Sequence, residues 1–306
     1  MTAPAQVTRP AELAESPVWD SRRQSLLWVD ITRGHVHRYD PVSGEDTVTV
    51  IGVPVGAVAA RRGEGLILAA ARGFAFLDER TGSLEWLWAQ ASGDRMNDGK
   101  CDPDGRFLAG TLTSARVPGA SALYRLDTGG QVAVLIENVT LSNGLGWSPD
   151  GTRLYFADTP LERVDVLDYD VTAGTVGGRR TFADLHEAPG RPDGLTVDAD
   201  GGVWIAMARG GAVRRYTPDG RLDHVVELPV PLVTSVTFGG GDLTDLYVTT
   251  SREGLGPADL ADQPQAGAVF CLPSSGTRGL PANECALLPV GRPPPGVKWN
   301  GMTYFS

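Results

Sequence analysis

Cysteine and histidine are scarce, at three and four residues in a chain of 306. Cys101, Cys271 and Cys285 are odd in number and show no paired metal spacing, so neither a disulfide framework nor a zinc ribbon is indicated. Cys101 falls at an apolar repeat position and reads as a buried thiol. No stretch approaches the roughly 18 consecutive apolar residues of a membrane span. Met1 to Pro10 lacks a basic-then-apolar signal pattern, and a soluble, cytoplasmic protein is expected. A Gly-x-Ser-x-Gly elbow is missing, which removes support for serine nucleophile chemistry, and so is a phosphate-binding loop. Basic charge is also short. Twenty-seven Lys and Arg face 37 Asp and Glu, giving a net charge of -10 and a pI near 4.9. That balance argues against nucleic acid or an acidic membrane as partner and leaves small molecules and cations.

Glycine (39) and proline (22) are abundant, as short strands joined by tight turns require. Their placement is periodic. Six lead residues, Glu15, Val55, Asn97, Asn143, Asp193 and Ser235, recur at intervals of 40 to 50 residues, four of them followed at once by a small residue and then apolar residues. Eight positions after the first five stand Arg23, Gly63, Gly105, Gly151 and Gly201, so four of the five fall on a turn glycine. The turns are clearest in Cys101-Asp-Pro-Asp-Gly, Trp147-Ser-Pro-Asp-Gly and Val197-Asp-Ala-Asp-Gly. Apolar strands such as Ser25-Leu-Leu-Trp-Val-Asp follow, then alternating strands such as His35-Val-His-Arg-Tyr-Asp. A period in this range, built of strand and turn signals, predicts an all-β, six-bladed β-propeller formed as a single domain over residues 1–306. Two connections are long, Thr113 to Ser121 and Arg252 to Gln265, and the first is a candidate cover for the axial mouth. Closure of the ring is expected to use the segment before Glu15 or the stretch Val297 to Phe305.

Equivalent residues of the blades meet at the axis, which would then gather Glu15, Asn97, Asn143 and Asp193. An isolated Asn-Gly or Asp-Gly marks a turn, but these repeats already carry their turn further on, and Glu15-Ser-Pro is no turn signal. Two carboxylates in a narrow tunnel repel unless a cation neutralises them. Carboxylate and amide oxygens suit one divalent ion, Ca2+, Mg2+ or Mn2+ by hardness, with Zn2+ and Fe2+ also open. Few protein ligands leave positions for water and substrate, as in a catalytic ion, and hydrolysis is the natural reaction class. His35, His37, His186 and His224 fall away from the lead positions, although His is the usual general base.

The segments Glu15-Ser-Pro-Val-Trp, Arg95-Met-Asn-Asp-Gly-Lys-Cys-Asp-Pro-Asp-Gly-Arg, Leu141-Ser-Asn-Gly-Leu-Gly-Trp-Ser-Pro-Asp and Arg191-Pro-Asp-Gly-Leu-Thr-Val-Asp resemble the regucalcin (senescence marker protein) and gluconolactonase family, which includes luciferin-regenerating enzyme-like members. The likeness runs in order from about Glu15 to Phe270. It implies a propeller with one axial divalent metal that hydrolyses sugar lactones, with Glu15, Asn143 and Asp193 as metal ligands. Arg95 and Asn97 would hold the substrate, and Asp193 would be the base for the attacking water. One departure stands out: where regucalcin-like members carry acidic residues for sugar hydroxyls, Leu112-Thr113-Ser114-Ala115-Arg116 has none. The sugar itself is thereby put in question.

The expected protein is thus a metal-dependent lactonase that polarises a ring carbonyl and activates a water, acting on a small-molecule lactone. Oligomeric state is not legible from the sequence. Two other functions fit the same residues: a phosphotriesterase-like hydrolase on the same centre, and a non-catalytic propeller that binds a metabolite.

Overall fold

A computed structural model describes residues 3–90 and 94–287. It contains six four-stranded antiparallel sheets. Five are runs of consecutive strands: blade 1 from Ala14–Asp20 to Asp46–Val50, blade 2 from Val55–Ala60 to Ser83–Ala89, blade 3 from Arg95–Cys101 to Val132–Val139, blade 4 from Ser142–Trp147 to Thr175–Asp184, and blade 5 from Arg191–Val197 to Leu222–Glu227. Blade 6 is composite. Its strands Val233–Gly239, Asp245–Thr250 and Phe270–Leu272 are completed by Ala5–Gln6 from the chain's start, with Ala5 opposite Cys271 and Gln6 opposite Phe270. The innermost strands touch in ring order, and that of blade 6 returns to that of blade 1. The all-β six-bladed propeller is therefore observed. Ring closure uses the segment before Glu15, while Val297 to Phe305 lies outside the described residues.

Position along each blade decides which residues can form it. The second strands, such as Ser25–Asp30 and Leu66–Ala70, are buried throughout, since neighbouring blades cover both faces, and they read as continuous apolar runs. The outermost strands face water, and Thr175–Asp184 is mostly exposed and polar. Six apolar clusters result, one in each gap between blades. Trp204, Val213, Val236 and Phe238 fill the gap between blades 5 and 6, and Trp19, Trp28 and Tyr247 that between 6 and 1.

The turn glycines Gly63, Gly105, Gly151 and Gly201 all adopt positive φ, the conformation their repeat position requires. In blade 1 the left-handed residue is Gln24, one past Arg23. The aspartate that opens two of these turns does more than shape them. Asp198, fully buried, accepts hydrogen bonds from the Gly202 amide at 2.8 Å, Trp204 Nε1 at 2.8 Å and Arg215 Nε at 2.7 Å. Asp102 likewise takes the Arg106 amide and guanidinium, each at 2.8 Å, and the Tyr169 hydroxyl from blade 4 at 2.6 Å. Each ties a turn to strands further from the axis.

Candidate metal centre

Every innermost strand loses register with its neighbour near its start, between Glu15 and Val18, Val55 and Ala57, Met96 and Gly99, Ser142 and Leu145, Pro192 and Leu195, and Val233 and Ser235. A bulge inserts unpaired residues and re-aims their side chains. Asn97, Asn143 and Asp193 lie inside three of these interruptions, and Glu15 borders a fourth.

The pairing also corrects two of the six lead residues. The equivalent cross-strand pairs are Trp19 with Leu26, Ala60 with Leu66, Cys101 with Phe107, Trp147 with Leu154, Val197 with Val203 and Phe238 with Leu246. Stepping back by the same count that leads from Trp19 to Glu15 gives Gly56 and Thr234, not Val55 and Ser235. Apolar neighbours hid the one-residue offset. Gly56 has a reason to be there: a Cβ would sit 2.5 Å from the Asn97 carbonyl oxygen. Thr234 donates to the Ala14 carbonyl at 2.6 Å and is spent on blade-to-blade contact. Neither supplies charge to the axis.

The polar leads form one connected group. Asn97 Nδ2 donates to Asn143 Oδ1 at 2.7 Å and to the Ser142 carbonyl at 2.8 Å, while Arg95 Nη1 donates to Asn97 Oδ1 at 2.8 Å. Asn143 is held at its other end. Thr159, in a single 3-10 turn after the second strand of blade 4, gives its proton to the Pro192 carbonyl at 2.8 Å and accepts Asn143 Nδ2 at 2.7 Å. This relay fixes the amide's orientation and leaves a lone pair of Oδ1 available for a cation.

Glu15 Oε2 accepts the Ser16 amide at 2.8 Å, and the Asp193 carboxylate has no hydrogen bond among the described residues. Burial pushes both acids well above the usual carboxylate range. Repulsion from Asp193 and Asp98 adds to this at Glu15, and repulsion from Asp98 adds to it at Asp193. Arg116 and Arg95 partly offset the effect at Asp193. Among the described residues no three His, Cys, Asp or Glu side chains cluster as a cage, so a cation here would need the amide oxygen as well. Two mutually repelling carboxylates and one oriented amide oxygen suit a hard divalent ion.

Asp98 and Lys100 were not anticipated as part of this group. Asp98 is 5% exposed, and burial raises its pKa against the opposing pull of Lys100. Lys100 reaches across the axis to the Leu195 carbonyl, 2.8 Å from Nζ, and burial lowers its pKa. The signal in the sequence is two charges at period-two spacing inside a strand otherwise buried. Beyond Lys100, a cavity of about 400 Å³ opens toward the opposite face, lined by Trp147, Ser148 and Pro281 among others. The acidic cluster belongs to the end carrying the lead residues. At that same end the connections from second to third strands emerge, including both long loops, which follow Leu112 and Thr250. The histidines stand apart: His35 and His37 in blade 1's third strand, His224 in blade 5's outermost strand, and His186 in a loop. Cys101 is buried, as expected.

Comparison with known proteins agrees with this fold. Residues 13–252 match the model of the SMP-30/Gluconolactonase/LRE-like region. The chain is 36% identical to regucalcin of Xenopus laevis over 283 residues, covering 90% of this chain and 95% of that one. A calcium-binding protein, regucalcin, from Agrobacterium tumefaciens superposes with a TM-score of 0.89 at 29% identity, covering 94% of this chain and 98% of the other. A luciferin-regenerating enzyme gives 0.87 at 28% identity, covering 93% and 100%. The chain belongs to the SMP-30/gluconolactonase/LRE-like family.

Proposed function

We propose that the protein is a metal-dependent lactonase whose ion is held by Glu15, Asn143 and Asp193. The observation that carries this reading is a pair of mutually repelling carboxylates, Glu15 buried and Asp193 half-buried, beside an amide whose oxygen is oriented by the Thr159 relay. Family membership supports lactone hydrolysis, and a relative described as calcium-binding supports a divalent ion. When bound, the ion supplies a Lewis acid for the ring carbonyl.

The remaining work falls to the chain's own groups. Asp193, without a hydrogen bond of its own, takes a proton from the attacking water at a carboxylate oxygen. It returns that proton to the ring oxygen as the C–O bond breaks, and the product is the open hydroxy acid. Arg95 and Asn97, coupled through Nη1 and Oδ1, orient the substrate. Burial within the bulged strands limits competing water.

The test is hydrolysis of a lactone panel and of an organophosphate triester, after chelation and after re-addition of Ca2+, Mg2+, Mn2+, Fe2+ or Zn2+. Lactone turnover should vanish on chelation and return with at least one ion. Turnover that survives chelation, or is confined to the organophosphate, would overturn the reading.

The raised carboxyls also predict a pH dependence. The metal-free folded protein retains protons that the unfolded chain releases near pH 4, so its stability falls as pH rises from there through the shifted values. An ion replaces those protons, and its affinity grows over the same window. At about 100 times Kd the ion contributes roughly 2.7 kcal/mol. The gap in Tm between ion-loaded and metal-free protein should therefore widen with pH; a gap independent of pH would rule out these carboxyls as ligands.

A further inference from the structure

We propose that the mouth of this centre selects lactones carrying an anionic substituent, with Arg95 and Arg116 as the residues that receive it. The inference rests on the lactonase reading and concerns its substrate class.

Arg95 stands opposite Leu112 in blade 3, and the 113–120 loop leaves the sheet from that residue. The loop folds back at once, with the Arg116 amide on the Thr113 carbonyl at 2.9 Å and the Val117 amide on Thr113 Oγ1 at 2.8 Å. Its far end is pinned by the Gly119 amide on Thr140 Oγ1 at 3.1 Å. Arg116 itself is exposed and left-handed, at φ 50°. That conformation costs a non-glycine residue energy and is retained where surrounding structure demands it.

Neither guanidinium is committed to a carboxylate. Arg38, Arg106 and Arg215 are each tied to a buried aspartate within 2.9 Å, whereas Arg95 and Arg116 form no ion pair among the described residues. Arg95 uses only Nη1, on the Met96 carbonyl and Asn97 Oδ1. Its Nε and Nη2, the edge that grips a carboxylate through two parallel bonds, have no described partner. The two cations share one neighbourhood: Asp193 feels Arg116 more strongly than Arg95, and Arg95 is disfavoured by Arg116's like charge.

Charge balance gives the sign. A divalent ion would offset Glu15 and Asp193, and Lys100 offsets Asp98, leaving two guanidiniums at the mouth, where Glu253 is the carboxylate that attracts Arg95 most. That residue attracts Arg95 from the other long loop, but its Oε1 already accepts the Thr32 hydroxyl at 3.0 Å. One positive charge remains for substrate. A carboxylate on the lactone ring would satisfy it.

The probes are the five-membered lactones of gluconic and glucaric acid, which differ in a terminal hydroxymethyl against a carboxylate. The wild type should favour the glucaric lactone by about tenfold or more in kcat/KM, roughly the worth of one charged hydrogen-bonded contact, and the preference should shrink with added salt. Arg116→Glu should depress the anionic substrate at least about tenfold more than the neutral one. Equal use of both lactones by the wild type, or equal losses in the variant, would overturn the proposal. Titration calorimetry with the ring-opened products separates the two readings, since it needs no turnover. Glucarate should bind the ion-loaded protein more tightly than gluconate and lose that advantage in Arg116→Glu. Equal binding would sink the anion selectivity even if lactonase activity stands, and absent turnover with selective binding would sink only the lactonase.

Discussion

Asp193→Ala is expected to lower kcat/KM for lactones by roughly a thousandfold or more while leaving the protein folded. The residue is read as both ligand and proton acceptor, so its loss removes binding of the ion and the acceptor together. Stability should move the other way. Asp193 is held near Asp98 and Glu15 with no hydrogen bond of its own, and removing it relieves repulsion in the metal-free protein. The metal-free Tm should therefore stay level or rise, and the Tm gain on adding ion should disappear. Turnover at the wild-type rate would exclude Asp193 from the chemistry. A collapsed fold would show that the carboxylate is structural, and Asp193→Asn, which keeps the volume, distinguishes that outcome from loss of a ligand.

Asp198→Ala is expected to show the opposite pattern, a loss of about 3–5 kcal/mol with kcat/KM little changed at a permissive temperature. Truncation leaves the Arg215 guanidinium, which is 13% exposed, with Asp223 at the surface as its remaining carboxylate, and leaves the Trp204 indole N–H buried without an acceptor. It also releases the amides of Asp200 and Gly202 that shape the turn. Because this turn lies at the far end of blade 5's first strand from Asp193, the chemistry should not feel it. Urea unfolding monitored by circular dichroism measures the effect as a lower midpoint at similar slope. A loss below about 1 kcal/mol would mean that water replaces the carboxylate at no cost. Asp193 lies in that strand and Asp198 just past its end, five positions on, so the contrast between them is a test of geometry with composition held fixed.

Much of this molecule is legible in its sequence, because its repeats mark the same turn and the same axial position in successive blades. Blade count followed from turn glycines whose positive φ few other residues tolerate, and the axial set followed from polar residues in an otherwise apolar register. Family motifs then named roles for Glu15, Asn143 and Asp193. What escaped depended on pairing. Gly56 and Thr234 replace Val55 and Ser235 as the equivalent positions, an offset that only the cross-strand pairing shows because apolar residues flank both sites in the sequence. Asp98 and Lys100 carry no role in the sequence, and theirs emerges only where Lys100 spans the axis to Leu195. Thr159 could not be assigned to Asn143 at all, since their link depends on where a 3-10 turn brings the chain back. The repeat-turn aspartates read as turn formers, and only the third strands reveal Arg215 as the partner of Asp198 and Tyr169 as a partner of Asp102.

The composite sixth blade has a consequence for the order of synthesis. Residues 5 and 6 leave the ribosome before the other strands of the ring, yet their partners, Phe270 and Cys271, leave only after five complete blades. The earliest strand must wait unpaired while five blades form behind it, and the ring shuts through contacts separated by nearly the whole chain. Such long-range pairing is slow. Glu15 stands in the first blade and Asp193 in the fifth, either side of that late seam. A newborn chain would then gain high affinity for the ion only once the circle is shut, so uptake of the ion would serve as a clock for the last step of folding.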